Sequence, residues 1–204
     1  MTRRRPEEAT RISFHKGTGT RYRSTLRRAD GVLIALEGGS WNRIGGSVAR
    51  VPHDLAHLVV EQELELDRGL WGVLAEGGLV QNAAFAGGRR PPHALARAKE
   101  LTKAAGEDLR QAEVLVRAIA DATLRCRRLD VDALRRTVGA RWWHTGLTPS
   151  AFDRIDAGLR AAALDWDRLA PGALLARTWR APAPERSMPR RGALRDRARS
   201  VARG

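Results

Sequence analysis

Two histidines stand at the spacing of metal ligands in the segment VPHDLAHLVVE, residues 51–61. His53 and His57 are four residues apart, so on a helix their imidazoles project from the same side and can share one metal ion. Asp54 directly follows the first histidine, where its carboxylate could orient an imidazole or act as a general base on a bound water. Glu61 lies one helical turn beyond His57. The segment therefore predicts a metal site built on a helix.

The third ligand has two candidates. Glu61 is the nearer carboxylate, but residues eight apart on a helix are separated by about 12 Å, which is too far for one ion already bound by both histidines. Glu76 is the single charged residue of the apolar segment 69–88, where an unpaired buried carboxylate would be costly. In an antiparallel helical hairpin it would lie level with His57. We expect His53, His57 and Glu76 to bind one divalent ion, zinc first, with an open position for water.

A simpler interpretation competes with the metal site. The same polar residues fit the solvent-facing side of an amphipathic helix, on which His57 and Glu61 form an ordinary i,i+4 pair. His144, in the segment RWWHTG, is either a fourth ligand or a loop histidine packed on a neighbouring tryptophan.

The HDLAH segment resembles the zinc-binding His-Asp-x-x-His motif of the coenzyme-Q biosynthesis family often called Coq-four, over residues 53–76 at most. That family has a glutamate further along the chain. The corresponding position here is Gly69, and the nearest acidic candidates are Asp67 and Glu76. HDLAH also looks like the zincin motif with Asp54 in place of glutamate. The wider layout, PHDLAHLVVE followed by GLWG, is similar to a group of small uncharacterised actinobacterial proteins. That likeness implies a shared fold and no particular activity.

The first part of the chain is typical of strands. Apolar residues alternate in RISFH and TRYRSTL and run continuously in VLIALE, with Gly-containing turns between them, which predicts a small antiparallel sheet within residues 11–50. Residues 52–169 are typical of helices, with stretches at 52–65, 70–85, 93–125 and 149–169. A late strand near 173–179 could join the sheet. The expected fold class is α+β, in one domain over residues 11–180.

The net charge of +14 is concentrated at the end of the chain. Residues 177–204 contain nine arginines against Glu185 and Asp196, or +7, so we expect a disordered tail over 181–204 and a flexible one over 1–10. Such a tail can hold phosphates by counterion release. Its candidate nucleic-acid contacts are Arg186, Arg190, Arg191 and Arg195.

No stretch is apolar enough to span a membrane, and no apolar region follows the first arginines as in a secretory signal. Cys126 is the only cysteine, which excludes an internal disulfide and favours a cytoplasmic location. The leading hypothesis is a metal-dependent hydrolase or lyase acting on a small molecule. The alternative is a non-enzymatic protein whose tail contacts nucleic acid or an acidic partner.

Overall fold

A computed structural model describes residues 10–40, 50–126, 130–138 and 147–182. Its five strands form one antiparallel sheet in the order β4-β3-β2-β1-β5. They are β1 (Thr10–Lys16), β2 (Arg21–Arg27), β3 (Leu33–Ser40), β4 (Ala83–Gly87) and β5 (Leu174–Trp179). The helices of the described chain are α1 (His53–Glu63), α2 (Leu70–Glu76), α3 (Ala94–Ala104), α4 (Gly106–Leu124), α5 (Val131–Val138) and α6 (Pro149–Arg168). The predicted α+β class is confirmed.

The first three strands form the expected meander because two short turns reverse the chain. Gly19 takes a positive φ of 62° between β1 and β2, and Gly31 takes 83° between β2 and β3. The carboxylate of Asp30 also accepts a hydrogen bond from the backbone of Val32 at 3.1 Å. Side chains alternate between the two faces of each strand. Ile12, Phe14 and Leu26 consequently point into the core, where they are fully buried.

The late strand is confirmed, and it extends the N-terminal sheet as predicted. β5 pairs antiparallel with β1, with Thr10 opposite Trp179 and His15 opposite Leu174. The turn that leads into it is held by the backbone of Lys16, whose carbonyl accepts from Gly172 at 2.7 Å. The two ends of the described chain therefore meet in neighbouring strands.

The prediction of a helix over 70–85 is wrong in its second half. α2 ends at Glu76 because Gly77 follows with a left-handed φ of 110°, the usual geometry for closing a helix. The chain then returns to the sheet, where Ala83–Gly87 pairs with β3 as the edge strand β4. Within the described residues of 52–169, the regular elements are helices except for this strand.

The helices α5 and α6 begin at capping residues. Thr148 accepts a hydrogen bond from the backbone of Ala151 at 3.2 Å and precedes Pro149, the first residue of α6. Asp130 caps α5 in the same way, through the backbone of Ala133 at 2.8 Å. The long amphipathic stretch 93–125 divides into α3 and α4 on either side of Ala105.

The helices α1, α4 and α6 pack together and share one hydrophobic core with the inner face of the sheet. Trp71 of α2 is fully buried within it, and its indole packs edge-on against Phe14 with 5.7 Å between ring centroids. Within the described residues, no helix combines the length and apolarity needed to cross a membrane.

Several predictions concern residues outside the described ranges. Of the predicted tail 1–10, only Thr10 is described, and it begins β1. Of the predicted tail 181–204, only residues 181 and 182 are described. His144 and the tail arginines (Arg186, Arg190, Arg191 and Arg195) all lie outside the described residues.

Replacing Phe14 by alanine should lower the free energy of unfolding by about 3 to 5 kcal/mol, because it removes a buried ring that packs on Trp71. Chemical denaturation would measure the change. Ser13→Ala is the matched control, since Ser13 is the neighbouring residue on the opposite face, and its effect should stay within about 0.5 kcal/mol. Equal losses in both variants would contradict the assignment of the inner face.

Candidate metal centre

The helix α1 brings His53 and His57 together on one side, as the four-residue spacing predicts. Their Nε2 atoms lie 3.2 Å apart, and their ring centroids 4.5 Å apart. The side chain of His53 is 16% exposed, whereas that of His57 is 3% exposed. The pair therefore lies at the edge of the core, with one imidazole inside it and the other partly open to solvent.

The third group of the cluster is Glu113, from the middle of α4. Its Oε1 lies 3.0 Å from Nε2 of His53, and its Oε2 lies 3.0 Å from Nε2 of His57. One ligand atom from each of the three residues lies within 4.8 Å of the others. In a tetrahedral zinc site with ligands at about 2.0–2.2 Å, neighbouring ligand atoms are about 3.3 Å apart. The three side chains therefore could hold one metal ion between α1 and α4.

Carboxylates also lie behind the two imidazoles, on the side away from Glu113. The Nδ1 of His57 donates a hydrogen bond of 2.7 Å to Oε1 of Glu61. The Nδ1 of His53 lies 3.7 Å from Oδ1 of Asp54, an ion-pair distance. A carboxylate on Nδ1 fixes the ring tautomer and leaves the Nε2 lone pair for a metal. In both histidines the atom that faces Glu113 is the one a metal would use.

Glu61 is fully buried, and two backbone amides complete its hydrogen bonds. The N–H of Leu70 donates to Oε1 at 2.7 Å and that of Trp71 to Oε2 at 3.0 Å. These amides open α2, where the helix dipole favours negative charge. Gly69 makes this approach possible, because a Cβ there would lie 2.5 Å from Oε1 of Glu61. Glu61 therefore positions His57 instead of binding the metal itself.

Asp54 is held by the inner face of the sheet. Its Oδ1 accepts a hydrogen bond from the hydroxyl of Tyr22 at 3.1 Å, and its Oδ2 accepts one from Ser24 at 2.8 Å. Burial and the negative charge of Asp54 raise the pKa of Tyr22, which keeps its phenol a neutral donor. The carbonyl of Asp54 also accepts from the indole of Trp71 at 2.8 Å. Both β2 and α2 therefore determine where α1 begins.

The structure does not bring Glu76 to the histidines. Glu76 is the last residue of α2, is exposed, and is not part of the cluster. α2 buries Trp71 to Leu74 and ends in Glu76, so this carboxylate lies at the exposed end of the helix and not beside His57. Glu113 supplies the carboxylate. In the sequence, Glu113 is distinguished only by its position next to Ala112, at the edge of the row of buried apolar residues on α4.

Glu113 and each of the two histidines shift each other's pKa toward the charged form. Burial acts to lower the pKa of His57, but hydrogen bonds to Glu113 and Glu61 outweigh it and raise that pKa to about 9. For His53, burial likewise lowers the pKa while Asp54 and Glu113 raise it, with a net increase. Hydrogen bonds from both histidines hold the pKa of Glu113 well below its usual range. A positive charge between Glu113 and Glu61 is therefore favoured, whether a proton or a metal ion provides it.

No protein-family model, curated protein or solved structure matches this chain.

Replacing Gly69 by alanine should push the Glu61 carboxylate off the two amides and lower the free energy of unfolding by about 1 to 3 kcal/mol, because buried polar groups lose their partners. Denaturation of the metal-free protein measures this. Gly106→Ala is the matched control: a Cβ there has open space, so the change should be neutral or stabilising. A Gly69→Ala protein as stable as wild type would contradict the close packing of Glu61.

The metal-free protein should lose stability as the pH rises from about 6.5 through 9. A protonated His57 stabilises the fold because its pKa is raised to about 9 on folding. That contribution is fully present below the unfolded pKa of about 6.5 and disappears above the folded value. Denaturation in the presence of a chelator at several pH values tests this. Glu113→Gln should flatten the dependence, and an identical pH profile in that variant would exclude the cluster as its source.

Proposed function

We propose that the protein binds one divalent metal ion through His53, His57 and Glu113. The observation that carries the proposal is the convergence of three ligand atoms from two helices, with the far nitrogen of His57 held by Glu61 at 2.7 Å. Metal-binding histidines nearly always have such a partner on the second ring nitrogen. A simple solvated helix face would not explain why Glu61, His57 and Asp54 are all buried.

The donor set favours zinc and a catalytic site over a purely structural one. Two histidines and one carboxylate are the protein ligands of several catalytic zinc centres, in which water takes the fourth position. The Glu113 side chain is 43% exposed, so the cluster is accessible from the solvent side. Iron(II) uses a similar ligand set, so elemental analysis has to identify the metal.

We further propose that the site performs hydrolysis or a lyase-type reaction on a small molecule. A bound zinc ion supplies a water of lowered pKa and polarises a substrate oxygen. By accepting a hydrogen bond from Nδ1 of His57, Glu61 would keep the lone pair of Nε2 directed at the ion. The sequence leaves two roles open for Asp54, orienting an imidazole or acting as a general base. Both of its oxygens accept hydrogen bonds from the sheet, which supports the positioning role. The single cysteine, Cys126, is exposed and free, which is consistent with a cytoplasmic location.

Full-length protein purified without a histidine tag, stripped with chelator and reloaded, should contain about one equivalent of zinc by elemental analysis. His53→Ala, His57→Ala and Glu113→Gln should lose it, because each removes a ligand. Glu61→Gln should keep the stoichiometry but bind about 10- to 100-fold more weakly. Glu76→Gln is the matched control, and its zinc content should equal that of wild type.

Two results would overturn the proposal. One is a wild-type protein without stoichiometric zinc, iron or manganese after reloading. The other is unchanged metal content in the Glu113→Gln variant while Glu76→Gln loses it. If the protein binds iron in place of zinc, the site remains and only the proposed metal changes.

The proposed hydrolytic activity has its own test. If wild type and Glu113→Gln hydrolyse activated esters and phosphoesters equally fast, the ion has no hydrolytic role.

A further inference from the structure

The outer face of the sheet carries arginines for which the structure shows no side-chain partner. Arg11 of β1 and Arg23 and Arg27 of β2 alternate with the core residues of their strands and are exposed. Within the described chain, no side-chain hydrogen bond or ion pair involves any of the three. We call this surface the arginine face. It lies on the opposite side of the sheet from the helices that hold the candidate metal centre.

Two of these arginines lie directly opposite each other. Arg11 pairs with Arg27 in the β1–β2 register, and Arg23 pairs with His15. Like charges directly opposite on neighbouring strands destabilise a sheet. Burial, and after it the charge of Arg23 on the neighbouring strand, lower the pKa of His15. Among the described strand residues of this face, Glu37 is the one acidic side chain, and it lies opposite Arg23 in the β2–β3 register.

The spacing of the arginines fits a chain of phosphates better than a single anion. Arg23 and Arg27 are four strand residues apart, or about 13 Å, and neighbouring strands are separated by about 5 Å. The hydroxyl groups of Ser13, Thr25 and Thr178 lie between or beside them on the same face. Arginine, serine and threonine are among the side chains that commonly hold nucleic-acid phosphates.

A concave region continues this surface at the end of the β1–β2 hairpin. It has a volume of about 630 Å³ and is lined in part by Lys16, Arg21 and Arg23. The described strands place no phenylalanine, tyrosine or tryptophan ring on the outer face, and the imidazole of His15 is hydrogen-bonded to the Thr25 hydroxyl at 3.2 Å. The neighbouring strands contribute alanines to this face (Ala35, Ala84 and Ala176). Base stacking of the kind that single-strand binders use is therefore absent from these strands.

We propose that the arginine face binds the phosphate backbone of nucleic acid without reading its sequence. The positive charge of this face favours a polyanion. The separation of about 13 Å between Arg23 and Arg27 favours a ligand with several phosphates in a row. A membrane surface fits less well, because Leu174 is the single exposed large apolar side chain on the described outer face. The inference is independent of the proposed metal centre, since β2 directs Tyr22 and Ser24 to that side and Arg23 to this one.

The test compares two triple variants of the full-length protein with equal loss of charge. The first replaces Arg11, Arg23 and Arg27 by glutamine. The control replaces three exposed arginines of the helices by glutamine (Arg97, Arg117 and Arg136). Binding to labelled single- and double-stranded oligonucleotides of mixed sequence is measured over a range of salt concentrations, and His57→Ala is included to separate the metal centre.

Three phosphate contacts predict that the slope of log K against log salt becomes shallower by about 2 to 3 in the arginine-face variant, with at least about a tenfold loss of affinity. The control triple variant should change the slope by less than about 1, and His57→Ala should bind as wild type does. The arginine-face variant should unfold at the same or a higher temperature, because a like-charge pair is removed.

A second measurement localises the contact. Bound oligonucleotide should protect Arg11, Arg23 and Arg27 from modification by phenylglyoxal, and should protect Arg97 and Arg117 less. Equal slopes in the two triple variants, or equal protection of both sets of arginines, would overturn the proposal. So would binding of vesicles containing anionic phospholipid that depends on the arginine face while oligonucleotide binding does not.

Discussion

The rest of the structure depends on the hydrogen bonds that the buried carboxylate of Glu61 accepts. A charge without water is costly unless donors surround it, and here an imidazole and two backbone amides do so. The same group thereby determines the tautomer of His57 and the point at which α2 begins. Trp71, one of the amide donors, packs on the sheet through Phe14. Glu61 consequently connects the orientation of His57 at the candidate site with the packing of α2 against the sheet.

An imidazole between two carboxylates needs a cation. His57 has Glu61 on one nitrogen and Glu113 on the other, so two negative charges approach the ring from opposite sides. A proton satisfies this arrangement, and a divalent ion at Nε2 would also do so, since it would lie against Glu113 and His53 as well. Proton and metal would compete for the same place. Metal binding at the proposed centre would therefore depend on pH through the raised pKa of His57.

The sequence revealed the parts of the site that are local and missed those that depend on packing. The spacing of His53 and His57 specifies a shared helix face, and the structure shows that face. Glu113 lies 56 residues beyond His57, on a helix whose neighbour is chosen by the core, and no pattern in the chain encodes that pairing. Glu76 was a candidate because it was the one charge in an apolar segment. The structure buries residues 71 to 74 of that segment and exposes Glu76 at the end of α2, so the charge needs no buried partner.

The seven residues of β2 contribute to both sides of the molecule. Tyr22 and Ser24 hold Asp54 on the inner face, and Arg23, between them, lies on the outer one. Because strand side chains alternate strictly, moving the chain by one residue would exchange the two sets. Single substitutions can alter one face and leave the other intact. An insertion or deletion within this strand would disrupt both faces together, so descendants of this sequence can change the two surfaces separately only while the length of β2 is preserved.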